Sequence, residues 1–180
     1  MTAARFPDGL EVRAAVEVRA AGRKLEGYAA VFGTEARIGD FTETIRAGAF
    51  RGTLAGRDIL ALVDHDPSKL LARTRAGTLR LAEDSRGLAF SLDVPDTSVG
   101  RDVLALAERG DLGGMSFGFT VAKDGERWDG RRRELRAVVV HEISAVSAWP
   151  AYPATVVQAR SLVPPSPRLR LARLWLEAGP

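Results

Sequence analysis

Apolar positions recur every second residue through most of the chain, the signature of strands with one buried face. Val12, Ala14, Val16 and Val18 alternate with charged or small residues. A second strand is expected over Leu25–Phe32. Leu79 and Leu81, then Leu88, Phe90, Leu92 and Val94, give two more alternating runs. The polar stretch Glu83-Asp84-Ser85-Arg86-Gly87 between them predicts a hairpin. Met115, Phe117, Phe119 and Val121 form one face of a further strand, with Ser116, Gly118 and Thr120 on the other. Asp129-Gly130 is a good hairpin tip in the charged segment Glu126–Leu135, and Leu135–Val140 returns as a buried strand.

Helical spacing is rarer. After Pro95, Thr97 or Ser98 can cap a helix in which Val99, Val103 and Leu106 share a face, and Gly110 ends it. A shorter helix is expected over Ala47–Leu54. Many short strands with two or three helices predict an α+β fold, mostly an antiparallel β-barrel with flanking helices. Beyond Arg160 the pattern changes. Ser161–Pro167 holds three prolines and reads as a linker. Arg168–Ala178 interleaves arginines with Leu169, Leu171, Leu174, Trp175 and Leu176, as in a short basic amphipathic helix. The expected division is therefore a domain over 1–160 and a tail over 161–180.

Composition narrows the classes. With 180 residues, 46% hydrophobic and 27% charged, the chain suits one globular domain with a real core. It has no cysteine, so disulfides and thiolate metal sites are ruled out. The net charge is +3, part of it from Arg131-Arg132-Arg133 and the tail, which is weak ground for a specific nucleic-acid partner. No apolar run approaches membrane-spanning length, and Met1–Gly9 lacks the apolar segment of a secretory signal. A cytoplasmic protein without a membrane partner is expected.

The chemistry concentrates in three islands. His65 follows the apolar run Ile59–Val63, where that strand meets a turn made by Pro67. It is the best candidate base, since a serine hydroxyl needs a positioned imidazole to take its proton. Ser116 is the candidate nucleophile. Gly113 and Gly114 before it could present amides to an oxyanion, and Gly118 follows it. Glu142 or His141 would orient His65. As neighbours on a strand they should point to opposite faces, so only one can join the pair. Arg133 and Arg136 could assist an oxyanion, but plain solvated strand charge is the favoured reading. Asp64-His65-Asp66 with His141-Glu142 also admits a divalent metal that activates water. Against these stands a structural or scaffolding protein without activity.

The islands Leu60-Ala61-Leu62-Val63-Asp64-His65-Asp66-Pro67, Gly113-Gly114-Met115-Ser116-Phe117-Gly118-Phe119 and Glu142-Ile143-Ser144-Ala145-Val146-Ser147 come in a telling order. With Glu26–Phe32 and Glu43–Phe50, they resemble the prohead proteases of tailed phages with the HK97-type capsid. The resemblance extends to Tyr152-Pro153-Ala154-Thr155. It implies a serine endopeptidase of capsid maturation with His65 and Ser116 as the catalytic pair and no cofactor or metal. Its substrates would be the major capsid protein and scaffold, or the chain itself, inside the immature capsid in the bacterial cytoplasm. A homo-oligomer is admitted, and the Ala- and Arg-rich composition suits a phage or prophage of a high-GC host. The family's Glu-(Ile/Val)-Ser segment matches Glu142, which makes Glu142 the third member. The family is also similar to herpesvirus assembly proteases, which use Ser-His-His on a β-barrel, so His141 remains the alternative. Where the family often has Asn-His-Asp, this chain has Asp64-His65-Asp66.

Overall fold

The computed structural model describes residues 8–15 and 17–147. In chain order the strands open with β1 (Glu11–Ala15), β2 (Glu17–Ala21), β3 (Lys24–Val31), β4 (Ala36–Ile38) and β5 (Phe41–Ile45). After the one-turn helix α1 (Arg51–Leu54) come β6 (Leu60–Val63), β7 (Asp66–Arg73), β8 (Leu79–Glu83) and β9 (Gly87–Asp93). Helix α2 (Ser98–Arg109) leads to β10 (Gly114–Val121), β11 (Glu126–Asp129), β12 (Arg132–Leu135) and β13 (Val138–Val146).

These strands make three sheets, in the orders β1-β10-β13-β6-β7, β11-β12-β5-β4 and β2-β3-β9-β8. The α+β class holds, but the expected barrel does not: the sheets are separate and open. The pairing is mostly antiparallel as expected, with two parallel pairings, β13 with β6 and β12 with β5. The single strand expected over Val12–Val18 is two strands in different sheets, β1 paired with β10 and β2 with β3. Alternation marks a buried face but carries no sign of a change of sheet. Val16 lies outside the described residues, as do Trp149–Thr155, the boundary at Arg160 and the tail from Ser161.

The core forms between the first and third sheets. Met115, Phe117 and Phe119 of β10, and Val140, Ile143 and Ala145 of β13, bury against Leu25 of β3 and Leu88, Phe90 and Leu92 of β9. Phe117 stacks on Phe119 at 5.1 Å and meets Phe50 edge-on at 5.7 Å. The β8–β9 and β11–β12 hairpins form as the sequence predicts. Helix α2 is also as predicted: Thr97 accepts from Gly100 N–H at its start, and Gly110 closes it in the left-handed conformation. The helix expected over Ala47–Leu54 shrinks to α1, because Gly48 has φ 98° and breaks the helical run. No helix among the described residues is long and apolar enough to cross a membrane.

Candidate active site

β6 and β7 are joined by a two-residue turn, Asp64-His65, with Val63 paired to Asp66 across it. Both turn residues have positive φ, 50° and 58°, as a type I′ hairpin requires. A non-glycine residue held there costs of order 1–3 kcal/mol. Neighbouring contacts offset that cost. Asp64 N–H donates to Ala145 O at 3.0 Å, and its carboxylate accepts from Ser147 N and Oγ at 2.8 and 3.0 Å. His65 N–H donates to Ser144 Oγ at 3.2 Å. The turn is thus made by Asp64 and His65 and not by Pro67. Pro67 lies on the edge strand β7, where its missing N–H is tolerated.

This turn carries the imidazole back over β13. His65 Nδ1 lies 2.8 Å from Glu142 Oε1, and Glu142 is fully buried. A carboxylate only accepts, so with Glu142 ionised Nδ1 holds the proton and Nε2 is left as the acceptor. Glu142 Oε2 accepts from Ser144 Oγ, so both carboxylate oxygens are engaged. Ser144 is absent from the residues that the sequence singles out. The signal was present: in Glu142-Ile143-Ser144 a strand puts the first and third residues on one face.

A β-bulge changes the reading of His141. Gly118 pairs with Glu142 and Phe119 with Val140, which leaves His141 as the extra residue. Val140 and Ile143 both enter the core, so the two residues between them share the opposite face. His141 and Glu142 therefore lie on the same face, contrary to simple alternation. His141 still does not join His65: its Nε2 lies 3.0 Å from Thr120 Oγ1. Burial, with a contribution from Arg57, lowers the pKa of His141, while Glu142 opposes the shift.

Ser116 is fully buried in the middle of β10. It stands directly across from Ser144 on one side and Ala14 of β1 on the other. Directly opposed Cβ atoms in such pairs are about 4.5–5.5 Å apart. Met115, Phe117, Ile143 and Ala145 take the core side, so Ser116, Gly118, Glu142 and Ser144 share the other face. Ser116 Oγ donates to Arg13 O at 2.7 Å, and among the described residues no hydrogen bond joins it to His65.

The remaining candidates disperse. Gly113 N–H donates to Val146 O at 2.7 Å, so its amide is already engaged. Gly114 opens β10 with φ 136°. Arg133 is buried and not a solvated strand charge: it binds Glu11, Glu43 and Glu126. Arg13 joins the same cluster through Glu43 at 2.6 Å. Hydrogen bonding to Glu11 and Glu126 outweighs burial and raises the pKa of Arg133. Arg136 pairs with Glu134. Asp66 turns to Ser68, Asp64 to Ser147 and His141 to Thr120, so the groups of the metal reading do not converge. Among the described residues no three such side chains could hold a metal ion.

Comparison with known proteins bears on this arrangement. The prohead protease of Enterobacteria phage HK97 is 36% identical over 102 residues, which cover 55% of this chain and 43% of that protein. The chain therefore matches less than half the length of this curated relative. No solved structure matches significantly. Residues 9–164 match the family described as caudovirus prohead serine protease. That match spans all three islands and every described strand and helix, and the chain belongs to the caudovirus prohead serine protease family.

Proposed function

We propose that the protein is a serine endopeptidase of capsid maturation, with Ser116 as nucleophile, His65 as base and Glu142 as orienting carboxylate. The observation that carries this is the buried Glu142 carboxylate on His65 Nδ1, with Ser116 one strand away on the same face. Glu142 fixes the tautomer that leaves His65 Nε2 free to accept a proton. Ser116 Oγ loses its proton to Nε2 as it attacks the scissile carbonyl carbon. His65 then returns that proton to the leaving amine, and water releases the acyl group by the same exchange. The hydroxyl rests on Arg13 O. A turn about χ1 aims it at His65 when substrate enters, in line with catalytic hydrogen bonds that tighten only in the substrate complex. Gly114 is the glycine left to serve the oxyanion, since the Gly113 amide is taken.

The substrates on this reading are the scaffold or N-terminal extension of the major capsid protein, and the chain itself. The place of action is the immature capsid in the bacterial cytoplasm. The catalytic unit is 1–160, and residues 161–180 serve docking or packaging. No cofactor is required. The herpesvirus-like assignment, with a second histidine as third member, is disfavoured by the turn of His141 toward Thr120.

The test is co-expression with the major capsid protein of the same genome neighbourhood, followed by sequencing of the capsid N-terminus. Trimming by the native chain and none by Ser116→Ala is expected. A second reading, an inactive scaffolding relative, is favoured by the Ser116 hydroxyl bonding Arg13 O and not His65. An untrimmed capsid protein with the native chain present would select that reading.

A further inference from the structure

We infer that Ser144 is a positioning residue, whose single hydroxyl locks both the orienting carboxylate and the strained turn that carries the base. The inference rests on the proposed function and names a residue in it that the nucleophile, base and carboxylate do not include. Ser144 Oγ donates to Glu142 Oε2 and accepts from His65 N–H at 3.2 Å. A hydroxyl has one proton to give. That proton goes to the Glu142 carboxylate.

Each of the two bonds answers a specific need. In a two-residue hairpin the internal bond runs between the first and fourth residues, so the third residue's N–H has no partner within the turn. That N–H belongs to His65, and Ser144 satisfies it. Glu142 is fully buried, and a carboxylate oxygen there needs a donor. Oε1 has the imidazole, and Oε2 has Ser144. The carboxylate is therefore held by two groups at once and cannot swing away from Nδ1 without breaking the bond to Ser144. Ser144 is itself fully buried and fixed on the parallel ladder to Leu62, two residues before the turn begins. One side chain thus ties strand β13, the carboxylate and the His65 backbone into a single rigid unit.

The experiment compares Ser144→Ala and Ser144→Cys, which remove the strong donor, with Ser144→Thr, which keeps the hydroxyl. Cysteine is the near-isosteric variant and carries the test if alanine fails to fold. The first readout is the low-field proton resonance of His65 Nδ1–H, which needs no turnover. The second is steady-state cleavage of a capsid-derived peptide. The third is the site labelled by a fluorophosphonate probe. Loss of the resonance, and a fall in kcat of about 10²-fold with KM nearly unchanged, are expected for the folded removal variants. Ser144→Thr should keep both, and the probe should label Ser116. Folded removal variants that keep the resonance and kcat would overturn the inference. So would labelling of Ser144 in place of Ser116, which would make Ser144 the nucleophile. If Ser116→Ala remained active while Ser144→Ala still lost the resonance, the proposed nucleophile would fail and the positioning role would stand.

Discussion

Gly118 and Glu142 face each other across β10 and β13, and a Cβ built on Gly118 would lie 2.3 Å from Glu142 Oε1. The carboxylate occupies the space that any other residue would fill. Gly118→Ala should therefore displace the end of Glu142 and lengthen its contact with His65 Nδ1. The atoms displaced belong to the Glu142 side chain and not to backbone, so the strand pairing should survive while the bonds to His65 and Ser144 are strained. The expected loss is about 10²-fold in kcat, since small misplacements near the chemistry can cost that much. An alanine variant with native melting temperature and native kcat would show that this glycine is not holding space for the carboxylate.

Ser116→Ala and His65→Ala should each abolish capsid trimming to a similar extent. The double variant should be little worse than either single one, because groups that act as one unit are strongly non-additive. Losses that multiply in single-turnover assays would mean the two residues act independently.

Much of the candidate site is legible in the sequence, and the rest is not where local pattern is silent. His65, Ser116 and Glu142 stand out as candidates because strand ends, glycine frames and family motifs are local. Proline usually marks turns, so local pattern points to Pro67. The chain instead uses Asp64 and His65 at positive φ, held by Ser144 and Ser147 from another strand. Unbroken alternation would put His141 on the face opposite Glu142. One extra residue in β13 reverses that, and only the pairing partner β10 reveals the bulge. Arg133 read as solvent-facing because nothing near it in sequence announces Glu11 and Glu43. The barrel failed for a similar reason: strand count is local, and closure is not.

Glu142→Gln should slow cleavage far more than His141→Ala. The amide removes the charge that stabilises a protonated His65 and can present the wrong group to Nδ1. Comparable changes in serine triads cost up to about 10⁴-fold. His141→Ala should lose only the contact with Thr120. Single-turnover rates for both variants, each shown folded by circular dichroism, decide the matter. The reverse ranking would move the orienting role to His141.

The charged cluster of Glu11, Arg13, Glu43, Arg133 and Glu126, in which Glu43 and Arg133 are buried, predicts a stability effect. Glu43 is 2% exposed and bonds both arginines, which ties edge strand β1 to the sheet of β5 and β12. Glu43→Ala should leave two guanidinium groups short of a partner. Breaking a buried pair costs about 3–5 kcal/mol, and the low end is expected because Glu11 and Glu126 still hold Arg133. Acid should act on the same cluster. Burial alone would raise the pKa of Glu11, but Arg133 and Arg13 more than offset it and hold it below the ordinary 4.5. A carboxyl whose folded value is lowered adds stability above its unfolded value and loses it as pH falls through the folded one. The native chain should therefore lose stability below about pH 4.5, and Arg133→Met should lose less of its own over that range. Urea unfolding of both proteins from pH 7 to pH 3 gives the comparison. Identical acid slopes would show that the cluster does not couple protonation to folding.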